Sequence, residues 1–372
     1  MLLGGGGGGI QADRQEIAGG SPSSSSNFAL KASALESEKA TECKTPNNTS
    51  SQTRFSNHAF KNQKESNEGF CFHILIDCIS NDSRARLAAL EEILSQRYPC
   101  EFRIQLCEDS HFQGLPKLHG NYTTYFRLKL ASLLPSNIKR CLYMDIDMLC
   151  VGDIREIFSI DMGGKICAAA LDADYKASRI MPPLNLAAMP GFALNLDCYF
   201  NAGLILIDME AWRAAEVERL CFEFLQKYRP VYHDQDTLNA VLGDRVKLLP
   251  LEWNFMVAHL GRPKRFLWAL RGQPDITYSW LEIAKARRRL KILHFVCPMK
   301  PWQRGVAPEM LKSQEYDDWL YLSLWWQAAL ETPVFNGELS AMHNRGLLSL
   351  KERPASRTKR ILKRLRYSLH LL

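Results

Sequence analysis

Short apolar runs alternate along the chain with stretches in which apolar residues recur at helical spacing, and this alternation begins near Phe70. Phe72 to Ile79 predicts a strand, and Ser83 to Arg97, with Leu87, Leu90, Ile93 and Leu94 on one face, predicts a helix. Phe102 to Leu106 predicts a second strand, and Thr124 to Leu134 a helix closed by Pro135. Cys141 to Ile154, CLYMDIDMLCVGDI, holds a third strand that runs into two acids. Ile166 to Leu171 and Ala202 to Ile207 predict buried strands, and Ala211 to Tyr228 and Gln235 to Leu242 predict helices. Val246 to Pro250 and Lys291 to Val296 complete the strands. Strands alternating with helices predict an α/β domain on a mainly parallel sheet, where sites lie outside the carboxyl ends of strands.

The pattern divides the chain. Residues 1–69 carry a glycine run, Gly4 to Gly9, a serine run, Ser23 to Ser26, and then mostly Ser, Asn, Thr and Lys. Such a composition does not bury enough apolar surface to offset the entropy of ordering, so a disordered leader is expected, with a short helix near Ala29 to Ala40. Residues 70–302 form the α/β domain. Residues 303–350 read as a helical appendage that packs through aromatic residues such as Trp319, Trp325 and Trp326. In the tail, residues 351–372, Ile361, Leu362, Leu365, Leu369 and Leu372 share one helical face, while Lys359, Arg360, Lys363, Arg364 and Arg366 lie largely elsewhere. That is a basic amphipathic helix.

Composition changes this picture in three respects. With 372 residues, 46% of them apolar, the chain is able to bury a large core. Its eleven cysteines are an odd number with no C-x-x-C pair, and Cys71, Cys78, Cys141, Cys150 and Cys167 sit in apolar runs. They read as reduced packing residues of a cytosolic protein, not as a disulfide frame or a zinc site. The start, MLLGGGGGG, lacks the basic and apolar segments of a secretory signal, and no later window is apolar enough to span a bilayer. The net charge of +7 is the charge of the tail alone, where eight Lys or Arg face one Glu. Basic residues confined to a terminal leucine-faced helix suit a membrane surface better than nucleic acid, and the folded part has no nucleic-acid motif.

The chemistry concentrates at the acid pair. On an extended chain Asp145 and Asp147 share a face and Ile146 points the other way, so the two carboxylates repel unless a cation lies between them. An Asp-x-Asp at a strand end is also a common solvated turn. His294 follows on another strand, with Lys300 just beyond it in LHFVCPMKPW. Histidine with two carboxylates suits Mn2+ or a similar cation, and a nearby lysine would neutralise phosphate oxygens; a core histidine capping its strand is the plain alternative.

TTYFRLKL (Thr123 to Leu130), CLYMDIDMLCVGDI, YFNAGLILIDMEAWR (Tyr199 to Arg213), DQDTLN (Asp234 to Asn239) and HFVCPMKPW resemble, in order, the blocks of glycosyltransferase family 8, in particular its bacterial lipopolysaccharide galactosyl- and glucosyltransferases. The resemblance runs from about Phe72 to Trp302. It implies a GT-A fold and a retaining transfer of a hexose from UDP-glucose or UDP-galactose to a sugar of a lipopolysaccharide core, dependent on Mn2+ (or Mg2+). It implies Asp145, Asp147 and His294 as metal ligands, Lys300 as a diphosphate contact and Arg127 as a donor-binding residue. It further implies Asn201 and Asp234 against the donor sugar, Gln235 facing the anomeric carbon, and His119 beside the acceptor. Three of these have a plainer alternative: a helix-surface charge for Arg127, a helix N-cap for Asp234, a surface-loop residue for His119.

The chain departs from the family pattern twice. No A-x-D-D-x-Y strand precedes Phe72, so the uridine-cradling first strand is expected to be missing, and Cys297 stands where relatives commonly have glycine. The Gly4 to Gly9 run raises the expectation of a guanine tract at which a reading frame slips. An inactive remnant without a uridine pocket is the competing reading, followed by a nucleic-acid-binding protein. The main expectation places the enzyme in the cytoplasm, with residues 358–372 on the anionic inner leaflet.

Overall fold

The computed structural model describes residues 69–118, 120–173, 179–185, 189–260, 277–296, 300–303 and 316–351. The leader before residue 69, His119, Cys297 and residues 352–372 of the basic tail lie outside the described residues.

The first unit is strand β1 (Phe70–Ile76), helix α1 (Asn81–Ser95) and strand β2 (Cys100–Leu106). β1 and β2 pair in parallel from Phe70 opposite Cys100 to Ile76 opposite Leu106. Ser80 caps α1 by accepting from the Ser83 N–H. The predicted apolar stripe of α1 is only half-buried, and no residue of this helix is fully covered.

Thr123–Lys129 forms a 3-10 helix, and only Leu130–Leu133 (α2) is α-helical. This corrects the expected single helix. Thr124, Tyr125, Phe126, Arg127 and Leu128 are all buried, so the segment has no solvent face from which an amphipathic α-helix could be built.

Strands β3 (Arg140–Met144) and β4 (Met148–Cys150) follow, then helix α3 (Arg155–Phe158), strand β5 (Cys167–Ala169), the short hairpin strands β6 (Ile180–Met181) and β7 (Phe192–Ala193), and strand β8 (Leu204–Asp208). Helices α4 (Met209–Ala214), α5 (Val217–Leu225) and α6 (His233–Leu242) precede strands β9 (Val246–Leu248), β10 (Phe255–Met256) and β11 (Ile292–His294). The central sheet has the order β3-β8-β5-β9. β8 runs antiparallel to both neighbours, whereas β3, β5 and β9 share one direction. The sheet is therefore mixed. Leu204, Ile205, Leu206 and Ile207 of β8 are buried at 0–1% exposure, and a run covered on both faces carries no sign of its direction. A second sheet has the order β10-β11-β4, with β11 parallel to β10 and antiparallel to β4.

The predicted helix over Ala211 to Tyr228 breaks between α4 and α5, where Glu216 takes a left-handed conformation (φ 50°). Arg213 donates to the carbonyls of Leu134, Pro135, Ser136 and Ile138, which fixes α4 against the end of α2. The break redirects α5 so that Val217, Cys221, Phe224 and Leu225 reach the core.

Helices Tyr316–Glu331 and Asn336–Lys351 follow the α/β part. Trp325 meets Trp326 edge-on at 4.9 Å and Trp302 at 5.6 Å. Arg86 of α1 pairs with Glu338 at 2.9 Å and lies over the Phe335 ring.

The described cysteines are all free thiols. Cys167 is buried as expected, but Cys71, Cys78 and Cys150 are exposed, so those three are not packing residues. Among the described residues no helix is long and apolar enough to cross a membrane.

Candidate active site

The two sheets meet at the acid pair. β3 ends at Met144 and β4 begins at Met148, so Asp145 to Asp147 form the turn between the sheets, not an extended strand. The Asp145 N–H donates to the Gly203 carbonyl at 2.8 Å, and the Asp147 carbonyl accepts from Phe295 N–H at 2.9 Å. Each end of the turn is thus held by its neighbouring sheet. Asp145 and Asp147 are buried while Ile146 is 37% exposed, the expected sidedness reached by a turn. His294, the last residue of β11, sits opposite Met148 in the ladder and is 1% exposed.

Ligand atoms of Asp145, Asp147 and His294 all lie within 4.8 Å of one another. His294 Nε2 is 3.4 Å from Asp147 Oδ1 and 3.9 Å from Asp145 Oδ2. Neither Nε2 nor Asp147 Oδ1 completes a hydrogen bond, although both are buried. Buried polar atoms left without partners are costly, and a divalent cation would satisfy both at once. The donor set therefore fits a metal. Lys300 Nζ lies 2.5 Å from Asp147 Oδ2 and donates to the Phe295 carbonyl at 3.0 Å, next to the position a metal would take.

Burial raises the Asp145 carboxyl above the usual range, against the pull of the Arg127 guanidinium, and Asp147 adds to the rise. Burial acts on Asp147 in the same direction, but His294 and Lys300 outweigh it and hold that carboxyl low.

Arg127 is wedged behind the acids at 3% exposure. It donates to Asp145 Oδ1 at 2.8 Å and to the Ala202 carbonyl at 2.6 Å, pairs with Asp234 Oδ2 at 3.0 Å, and lies 4.4 Å from the Tyr143 ring centre. Burial alone would lower its pKa; the Asp145 and Asp234 carboxylates dominate and raise it. The surface-charge alternative is excluded. Asp234 is likewise not an N-cap: α6 starts at His233, and the Asp234 carboxylate accepts from Thr124 Oγ1 and pairs with Arg127 instead of capping the helix.

An amide network continues from there. Gln235 donates through Nε2 to Asp172 Oδ2 at 2.7 Å and to the Tyr199 hydroxyl at 3.0 Å. Its Oε1 accepts from Asn201 Nδ2 at 3.2 Å and from the Ala202 N–H at 3.1 Å. The Tyr199 hydroxyl in turn donates to the fully buried Asp236. Asn201 also meets Asn254, whose Nδ2 lies 2.9 Å from Asn201 Oδ1.

Gly203 is where this packing is tightest. A Cβ on it would stand 2.4 Å from His294 Cε1 and 2.9 Å from Asp145 Oδ2. Gly203→Ala is expected to displace His294 and, if the cluster holds a divalent cation, to weaken that binding by at least about tenfold, the scale of an outer-shell lesion; isothermal titration with Mn2+ as the probe measures it.

The structure thus brings together Asp145, Asp147, His294, Lys300, Arg127, Asn201, Asp234 and Gln235; His119 lies outside the described residues. Sequence reasoning did not single out Asp172, Gly203 or Asn254. Asp172 stands one residue past the predicted strand Ile166 to Leu171, at the carboxyl end where sites are expected, so a signal for it existed. Gly203 and Asn254 carry none that spacing would reveal.

The family model for glycosyl transferase family 8 matches residues 47–305. The lipopolysaccharide 1,3-galactosyltransferase of Salmonella typhimurium is 25% identical over 279 residues, which cover 73% of this chain and 75% of that protein. The lipopolysaccharide glucosyltransferase WaaO of Escherichia coli is 26% identical over 291 residues, covering 74% and 77%. Among solved structures, the apo structure of the bifunctional glycosyltransferase WbbM is similar with a TM-score of 0.54 at 20% identity, over 74% of this chain and 46% of that one. The α/β core with its mixed sheet is the GT-A fold of glycosyltransferases. The chain belongs to glycosyl transferase family 8.

Proposed function

We propose that the protein is a retaining hexosyltransferase that moves glucose or galactose from a UDP-sugar to a sugar hydroxyl of a lipopolysaccharide core, with Mn2+ (or Mg2+) at the Asp145, Asp147 and His294 triad. The observation that carries this reading is the pair of unpartnered buried ligand atoms, His294 Nε2 and Asp147 Oδ1, beside Lys300. The names of the two lipopolysaccharide transferases support galactose or glucose as the transferred sugar and lipopolysaccharide as the acceptor.

When bound, a divalent cation supplies Lewis-acid stabilisation of the negative charge on the departing diphosphate. Lys300 adds a fixed positive charge on the same side. Arg127 holds Asp145 and Asp234 in place, so the metal side and the sugar side of the site keep a constant separation. Gln235, fixed at both ends of its amide, presents a neutral surface to the anomeric carbon and forms no covalent bond readily. Asp234 engages both its oxygens with Thr124 and Arg127, which makes it a weak nucleophile. These features favour a front-face route, in which a leaving phosphate oxygen takes the proton of the attacking hydroxyl while the new glycosidic bond forms on the side the diphosphate leaves.

The basic composition of 358–372 supports a position on the anionic cytoplasmic face of the inner membrane, with about 1 kcal/mol of attraction per basic residue near the surface. Liposome flotation with and without residues 352–372 tests that placement.

A hydrolysis panel of UDP-sugars with Mn2+ tests the main reading: turnover of UDP-glucose or UDP-galactose, lost on chelation, is expected, and no binding of UDP with Mn2+ by titration calorimetry would mark an inactive protein instead. Gln235→Ala is expected to lower kcat with little change in KM, by about 10^2-fold, as for loss of one group that acts in the transition state. Full activity in that variant removes Gln235 from the mechanism.

A further inference from the structure

The buried amide chain between the sugar side and His294 has a direction, and a backbone group sets it. The Gly203 N–H can only donate, and it donates to Asn201 Oδ1 at 3.1 Å. The Asn201 oxygen therefore faces Gly203 and its amide nitrogen faces the acceptors Asp172 Oδ2 and Gln235 Oε1. Asn254 approaches that same Asn201 oxygen at 2.9 Å, so it must present its NH2 there. The opposite end of the Asn254 amide is then an oxygen, and it lies 2.9 Å from His294 Nδ1. An oxygen at that distance requires Nδ1 to carry the proton. In the neutral ring Nε2 then keeps its lone pair, and it lies 3.9 Å from Asp145 Oδ2 and 3.4 Å from Asp147 Oδ1.

We propose that Asn254 is a positioning residue that fixes His294 in the Nδ1–H tautomer, keeps its Nε2 free for a divalent cation, and ties the metal ligand to Asn201 on the sugar side. Asn254 is completely buried, and it closes the 3-10 turn Leu251–Trp253 directly before β10, which pairs with β11 so that Met256 stands opposite His294. Its side chain is thus held by the same ladder that holds the histidine. Nothing in the spacing of sequence motifs marks it. The inference rests on the reading of the triad as a metal site.

The test separates the two ends of the Asn254 amide. Mn2+ affinity is measured by the electron paramagnetic resonance signal of free Mn2+ in a titration of the full chain, alongside the melting temperature in metal-free buffer. Asn254→Ala removes the acceptor for Nδ1 and is expected to weaken Mn2+ binding by about 10–100-fold, the usual effect of losing an outer-shell partner. Asn254→Asp keeps an acceptor for Nδ1–H and loses the donor to Asn201; it is expected to bind Mn2+ at least as well as the wild type while its kcat for UDP-sugar turnover falls. Rescue of metal affinity by aspartate but not alanine is a result that a merely structural role does not give.

Equal Mn2+ affinity in the alanine variant and the wild type overturns the inference, as does an equal loss in both variants. If alanine prevents folding, the aspartate variant decides alone: affinity retained supports the inference and affinity lost refutes it. A wild-type protein that binds no Mn2+ refutes the metal reading itself, which is a different failure.

Discussion

Asp147→Asn is expected to lower kcat/KM for UDP-sugar turnover by on the order of 10^3-fold, about 4 kcal/mol of transition-state stabilisation, and to abolish its dependence on Mn2+. The amide keeps the shape of the carboxylate, so the acid turn and its bonds to Gly203 and Phe295 should persist. What disappears is an anionic ligand whose Oδ1 is unpartnered and whose Oδ2 meets Lys300 at 2.5 Å. The like-charge pressure on Asp145 is relieved at the same time, which offsets part of the lost Lys300 pairing. Melting in metal-free buffer is therefore expected to stay within a few degrees, and titration calorimetry to show no Mn2+ binding. A variant with unchanged metal affinity would remove Asp147 from the ligand set.

Arg127→Met is expected to be the most destabilising single change, at about 3–5 kcal/mol, because it leaves Asp145 and Asp234 buried with their main counter-charge gone. At about 2–4 °C per kcal/mol for a domain of this size, the melting temperature falls by on the order of 10 °C. Methionine fills much of the same volume, so the loss reports charge more than a cavity. The pH dependence gives a second check. Burial already raises Asp145 in the folded state, and removing Arg127 raises it further. A carboxyl raised on folding binds its proton more tightly in the native state, so the variant should regain stability as pH falls toward that raised pKa. Denaturant unfolding at several pH values measures both; a deficit that does not shrink on acidification would mean that packing, not charge, dominates.

The strands and the chemistry were legible in the chain to different degrees. β8 was readable because Leu204 to Ile207 is an unbroken apolar run, but its reversal was not, since a strand covered on both faces looks the same in either direction. The grouping of Asp145, Asp147 and His294 was readable from residue type and strand position only together with the family resemblance. The break at Glu216 was not, because no glycine or proline marks it; tertiary contacts of Arg213 hold one side of it. The inward turn of Arg127 was hidden for a related reason: a charged residue in a short segment reads as exposed until its counter-charges, 18 and 107 positions further along, are brought beside it. Asn254 depends on a hydrogen-bond direction set by the backbone of Gly203, which no spacing rule encodes.

The position of Arg127 has a further consequence for how this site can change. One guanidinium is shared by Asp145 and Asp234, so under the proposed function, with a cation at Asp145 and the donor sugar at Asp234, the two halves are thermodynamically linked and a change in one is felt reciprocally in the other. An attempt to redirect donor choice through Asp234 would therefore alter cation affinity as a side effect. Diversification of the sugar pocket is easier at positions that do not touch this arginine, and variants selected for a new hexose should accumulate there first.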